Sequence, residues 1–299
     1  MTQFSTRLIE RARLLGPLCL GIDPHPGKVP ALFGGDTPEG LKNWGLALVE
    51  VATGHVAAVK PQVGLFERLG PGGMEALQTV TKAAMSAGIL VLMDAKRGDI
   101  GSTAEGYAAA YLGKDAPFPC DALTVNPYMG LDTLEPYVRE AEANGKGVIV
   151  LTRTSNPGSA DFQSLKIGNT PLYAKVVQAL DPLVKRLQGD HTWSSLMMVT
   201  GATGPDEARH IRSLAPTSLF LVPGYGAQGA GAKQAIAGFV PGPDGLEGGL
   251  VNASRSVIFA EGSDTAATQD EWAACILAAL HTAQEDLTRA CLDMPIGAF

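Results

Sequence analysis

The sequence predicts a (β/α)8 TIM barrel, and three observations carry that reading. Short apolar runs rich in β-branched residues recur eight times, amphipathic stretches of helical spacing separate them, and polar residues gather where the runs end. The runs lie near 18–23 (LCLGID), 57–62 (AAVKPQ), 89–96 (ILVLMDAK), 122–127 (ALTVNP), 147–154 (GVIVLTRT), 196–203 (LMMVTGAT), 219–223 (LFLVP) and 249–253 (GLVNA). Helical spacing predicts helices over 74–87, 102–112, 132–143, 170–187 and 205–214, and a last one over about 266–292. Asp132 followed by Glu135 has the form of a capping box for the fourth strand's helix. The opening MTQFSTRLIERARLLG reads as a charged amphipathic N-terminal helix rather than a signal peptide, because no apolar core or cleavage site follows. After strand seven, 224–248 is rich in Gly and Pro and reads as a long loop, either a lid that orders on phosphate binding or a plain surface loop. A barrel needs about 250 residues, so a single domain over 1–299 is expected. An open, doubly wound sheet is the structural alternative.

Composition narrows the function classes. The net charge of -7 argues against a nucleic-acid binder, which needs a clustered basic excess. Cys19, Cys120, Cys275 and Cys291 form no CxxC pair, and the five histidines show no paired spacing, so neither a disulfide scaffold nor a metal site is expected. No run approaches the length of a membrane span. A soluble, cytoplasmic protein without a membrane partner is the expectation.

The run ILVLM leads into Asp94-Ala95-Lys96-Arg97-Gly98-Asp99. Side chains alternate along a strand, so Asp94 and Lys96 are expected on one side, with Asp99 in the loop beyond. An ammonium group flanked by carboxylates is held in its charged form and is a poor Schiff-base nucleophile. It can act as a general acid or as a fixed positive charge facing a developing anion. A structural ion-pair network is the alternative, but charges inside a barrel are costly unless used or fully paired, and Lys60 and Asp23 end neighbouring strands.

DAKRGDIGSTAEGYA resembles the D-x-K-x-x-D motif of the orotidine 5'-monophosphate decarboxylase family. The resemblance continues through GIDPHP (21–26), VKPQ (59–62), TVNPY (124–128), TRTSNPGS (152–159), LVPGYGAQG (221–229) and VNASR (251–255), and is nearest to the longer bacterial branch. It implies decarboxylation of orotidine 5'-monophosphate to UMP in pyrimidine biosynthesis, without a cofactor. It further implies that Asp23 and Lys60 contact the ribose, that Lys60 joins the charged chain, and that Asp94 lies beside the substrate carboxylate. Lys96 would protonate the pyrimidine carbon, Ser155 would bond the pyrimidine, and Gln228 and Arg255, near Pro223, would hold the phosphate. Asp99 and Thr103 would be lent to the site of a second subunit, making a homodimer with shared sites. The family commonly has Gly-Arg where this chain has Ser254-Arg255.

Three rivals stay open. Gly224-Tyr225-Gly226-Ala227-Gln228-Gly229 matches GxGxxG, although the helix after it reads as short and no acid ends strand eight to hold a ribose. A related barrel using magnesium and an enediolate would share the acid–lysine element. A non-catalytic phosphate-ligand barrel would share the loop. Asn126, at a strand end, is a further candidate substrate contact, and Trp44 and Trp272 read as packing residues.

Overall fold

Alternation of period two sorts each apolar run into residues facing the barrel lumen and residues facing the helices, and that sorting builds the molecule. The structure, a computed structural model, describes residues 2–226 and 229–293, so Gln228 lies outside the described residues. All eight runs form parallel strands: β1 (Leu18–Ile22), β2 (Ala58–Pro61), β3 (Leu90–Arg97), β4 (Ala122–Val125), β5 (Gly147–Arg153), β6 (Ser194–Thr200), β7 (Ser218–Val222) and β8 (Gly249–Ala253). They pair in sequence order and close where β8 meets β1, with Leu18 opposite Val251. The open-sheet alternative is thereby excluded.

Leu20, Val59, Val91, Leu123, Val150, Met198, Phe220 and Val251 face outward and pack under the helices in one buried cluster. Cys19, Ala58, Leu92, Ala122, Ile149, Met197, Leu219 and Leu250 face inward and form a second. The N-terminal helix α1 (Phe4–Leu15) seals the floor of this inner core with Phe4 and Leu8, both fully buried. Gly147 admits Phe4, since a Cβ there would stand 2.4 Å from its ring. Arg7 of α1 is paired with Asp121 at 2.6 Å. Trp44 and Trp272 are fully buried, as packing residues should be.

Two helices depart from the sequence expectation. The region 132–143 opens with a 3-10 turn, Leu131–Thr133, and the α-helix begins only at Glu135, with no side-chain cap. Pro136 sets the start, because its fixed φ suits the first helical turn. The helix expected over 170–187 is two, Leu172–Ala179 and Asp181–Gln188. Pro182 lacks the N–H that a continuous helix would use.

The described residues of 224–248 form more than a loop. They hold a bridge between Tyr225 and Ala230, a one-turn helix Ala232–Ala235, and an antiparallel hairpin pairing Val240–Gly242 with Gly245–Glu247. The hairpin runs to the opposite end of the barrel, where Glu247 bonds Arg13 of α1 and Trp193. Of the described residues in this stretch, Gly224 and Tyr225 line the cavity at the mouth.

Arg212, on the helix Pro205–Leu214, ties this stretch down. It is 8% exposed, stacks 4.0 Å over the Phe220 ring, and donates to the carbonyls of Ala215, Pro216, Ser218, Gly238 and Gly248. Burial pushes its guanidinium down to about 9, which leaves it charged at neutral pH. Arg212→Met strands those buried acceptors, so a loss of about 3 kcal/mol or more is expected. That corresponds to a melting temperature lower by about 5 °C or more. An unchanged melt would mean that the carbonyls find other donors.

Candidate active site

The same alternation that fills the floor with apolar residues brings polar ones inward at the C-terminal mouth. Asp23 follows β1, Lys60 and Gln62 lie on or just after β2, Asp94 and Lys96 on β3, Thr124 on β4, and Asn252 and Ser254 on or just after β8. All of them line one cavity of about 290 Å³. Barrel enzymes place their chemistry at this end.

Asp94 is the hub. Its Oδ2 accepts from Lys60 Nζ at 2.8 Å and from Gln62 Nε2 at 2.9 Å. Its Oδ1 accepts from Lys96 Nζ at 2.5 Å and from Thr124 Oγ1 at 3.1 Å. Each carboxylate oxygen thus receives one ammonium group and one neutral donor. Burial alone would push the Asp94 carboxyl up, but Lys60 and Lys96 overcome it and hold the group well below the usual carboxylate range. Burial likewise opposes the Lys60 ammonium, and Asp23 and Asp94 hold it above the usual lysine range. Both groups are therefore charged at neutral pH. The Asp94 contribution to stability is present above the unfolded value and is lost only as pH falls into strong acid. That of Lys60 is lost only as pH rises past the ordinary lysine range.

Asp23 Oδ1 stands 3.7 Å from Lys60 Nζ and, among the described residues, has no hydrogen-bond partner, although it is buried. Asn252 Oδ1 is a second buried acceptor without one. A ligand hydroxyl reaching either would satisfy a group that otherwise costs free energy.

Lys96 departs from the regular pleat. It is the one non-glycine with positive φ among the described residues, at 49°, and the β3–β4 register shifts between Met93 and Arg97. Asp94 and Lys96 meet as expected, but through a bulge rather than simple alternation. Lys96 contacts Asp94 and not Asp99: Asp99 accepts the N–H of Ile100 and lines no part of its own chain's cavity. Thr103, exposed on the helix Gly101–Leu112, also lies outside it.

The remaining expected residues cluster on the other side. Ser155, Pro223 and Arg255 line the cavity with Gly224 and Tyr225. Gly201 lets the Ser155 backbone approach, since a Cβ there would lie 2.9 Å from Ser155 Cα. Tyr225 Oη donates to Asp286 of the last helix at 2.8 Å. Ser254 fits because Gly21 has no side chain: a Cβ on Gly21 would stand 1.9 Å from Ser254 Oγ. Asn126 accepts the N–H of Tyr128 in a turn and does not reach the cavity. The GxGxxG stretch leads to a helix of only four residues, too short for a dinucleotide fold.

Gln62, Thr124 and Asn252 were not singled out from sequence, although VKPQ, TVNPY and VNASR contain them. Counting in twos from Lys60, Ala122 and Leu250 along the lumen face finds all three.

Fold and site together define the class: a (β/α)8-barrel enzyme with a lysine–aspartate network at its strand mouths. The chain belongs to the family described as Orotidine 5'-phosphate decarboxylase / HUMPS, whose family model matches residues 16–269. It is 37% identical to the orotidine 5'-phosphate decarboxylase of Rhodopirellula baltica, over 96% of this chain and 99% of that one. It is 40% identical to that of Natronomonas pharaonis, over 90% and 92%. Among solved structures, the Leishmania donovani OMP decarboxylase superposes with a TM-score of 0.76 at 31% identity, covering 97% of this chain and 99% of that one. No helix among the described residues is long and apolar enough to cross a membrane.

Proposed function

We propose that this chain decarboxylates orotidine 5'-monophosphate to UMP and carbon dioxide in pyrimidine biosynthesis, without a cofactor, in the cytoplasm and as one domain. The observation that carries the proposal is the four-donor cradle of Asp94, which aims the Lys96 ammonium into the cavity. Loss of carbon dioxide breaks the C6–carboxylate bond and leaves its electron pair in the plane of the ring, where the π system cannot delocalise it. A preorganised ammonium opposite C6 stabilises that pair, and Nζ then gives C6 its proton and is left as a neutral amine that solvent recharges. Asp94 lies beside the departing carboxylate. Asp23 and Lys60 take the ribose, which would occupy the open acceptor of Asp23. Ser155 takes the pyrimidine, and Arg255, with Pro223 lining the same cavity, takes the phosphate as a two-pronged donor, with Gln228 as the second phosphate ligand. Remote phosphate binding supplies free energy for ordering the site.

The reading includes a homodimer in which Asp99 and Thr103 complete the partner's site. Both stand outside their own chain's cavity, and beside them Ile100, Tyr128, Met129 and Leu131 expose apolar surface, 88% at Tyr128. A second copy would cover it.

The test is the loss of orotidine 5'-monophosphate absorbance in excess EDTA. Full turnover is expected. Activity that needs added magnesium would move the chain to the metal-using barrels that share the acid–lysine element.

A further inference from the structure

Lys96 has a long side chain that is 46% exposed, and its single side-chain anchor among the described residues is Asp94. Its aim therefore depends on how its backbone is held. The bulge in β3 gives Lys96 a left-handed φ of 49°, which costs an L-residue free energy, and leaves its N–H pointing at a side chain. Thr124 Oγ1 accepts that N–H at 2.8 Å. The one hydroxyl hydrogen then has two acceptors within reach, Asp94 Oδ1 at 3.1 Å and the Met93 carbonyl at 3.4 Å. The nearer, charged acceptor is the stronger. Thr124 is 1% exposed, so water does not compete for these bonds.

We infer that Thr124 is a positioning residue for the decarboxylation: one hydroxyl clamps the Lys96 backbone and the Asp94 carboxylate to each other. The inference rests on the role given to Lys96 above. Once Nζ has given up its proton, Oδ1 of Asp94 loses its ammonium partner. The Thr124 hydroxyl stays on that oxygen and keeps the carboxylate placed while solvent recharges the amine.

Thr124→Val keeps nearly the same shape and removes the hydroxyl; Thr124→Ser keeps the hydroxyl. The valine variant is expected to lose about ten- to hundred-fold in kcat, the equivalent of one hydrogen bond to a charged group. Its KM and its affinity for UMP should stay within about threefold, because the phosphate contacts are untouched. The serine variant should keep kcat within about threefold of wild type. Valine turnover near wild type, or serine as slow as valine, would overturn the inference. Should the valine protein fail to melt cooperatively or to bind UMP, Thr124→Ala against Thr124→Ser makes the same comparison. Lys96→Ala run alongside separates the two readings: if it turns over normally, the role of Lys96 itself is wrong. If it is dead while Thr124→Val is fast, only the clamp is wrong.

Discussion

Replacing Lys96 with alanine is expected to lower kcat by on the order of 10⁴-fold or more, since in the proposed reaction general acid catalysis and electrostatic stabilisation of the carbanion would be lost together. The fold should survive. The Lys96–Asp94 pair is partly exposed, so solvent screening limits its worth to about 1 kcal/mol or less. Asp94 keeps Lys60, Gln62 and Thr124 as donors, so the rest of the cradle has no unpaired buried charge to expel. Among the described residues Lys96 makes its hydrogen bonds to Asp94 and Thr124 and none to Arg255 or Ser155, so UMP affinity should stay within a few-fold. The measurement is single-turnover decarboxylation at high enzyme concentration, with calorimetric titration of UMP. Near-normal turnover would remove Lys96 from the chemistry.

Asp99→Ala should also be nearly inactive as a homodimer, for a different reason: in the proposed dimer its carboxylate would serve a site on another copy. Mixing it with Lys96→Ala distinguishes the two. A mixed dimer has one site lacking both groups and one site with both intact. Random exchange makes half the dimers mixed, so about one quarter of wild-type activity should return. Neither variant alone recovers any. Verified mixed dimers that stay silent would place Asp99 in its own chain's site or outside catalysis, and would leave the exposed Ile100–Leu131 surface to another purpose.

The strands were legible because apolar runs in a parallel sheet are buried on both faces and leave little else for the chain to do. Their edges were less so. β6 begins at Ser194 rather than at 196 because Ser194 and Ser195 are buried through bonds to the Val184 carbonyl and the Ser5 N–H, 10 and 190 residues away in sequence. Arg212 reads as one more surface charge on a polar helix, yet its five acceptors lie up to 36 residues along the chain. In the site, Asp23, Lys60, Asp94 and Lys96 stood out because a charge on an apolar strand is costly and so conspicuous. Gln62, Thr124 and Asn252 are neutral and raise no such signal. The bulge at Lys96 was hidden for another reason: a backbone twist is set by its neighbour strand, and a lysine at positive φ leaves no mark on composition.

Gly21 and Ser254 face each other across the seam where the barrel closes, and their fit couples the two positions. Trading the serine for glycine opens that space but takes from Asn252 Nδ2 the hydroxyl it donates to at 3.1 Å. Alanine at 21 is accommodated only without the serine, because its methyl group would stand 1.9 Å from Ser254 Oγ and 2.8 Å from Ser254 Cβ. Each of the two small residues at the lip of the pocket therefore sets what the other can be.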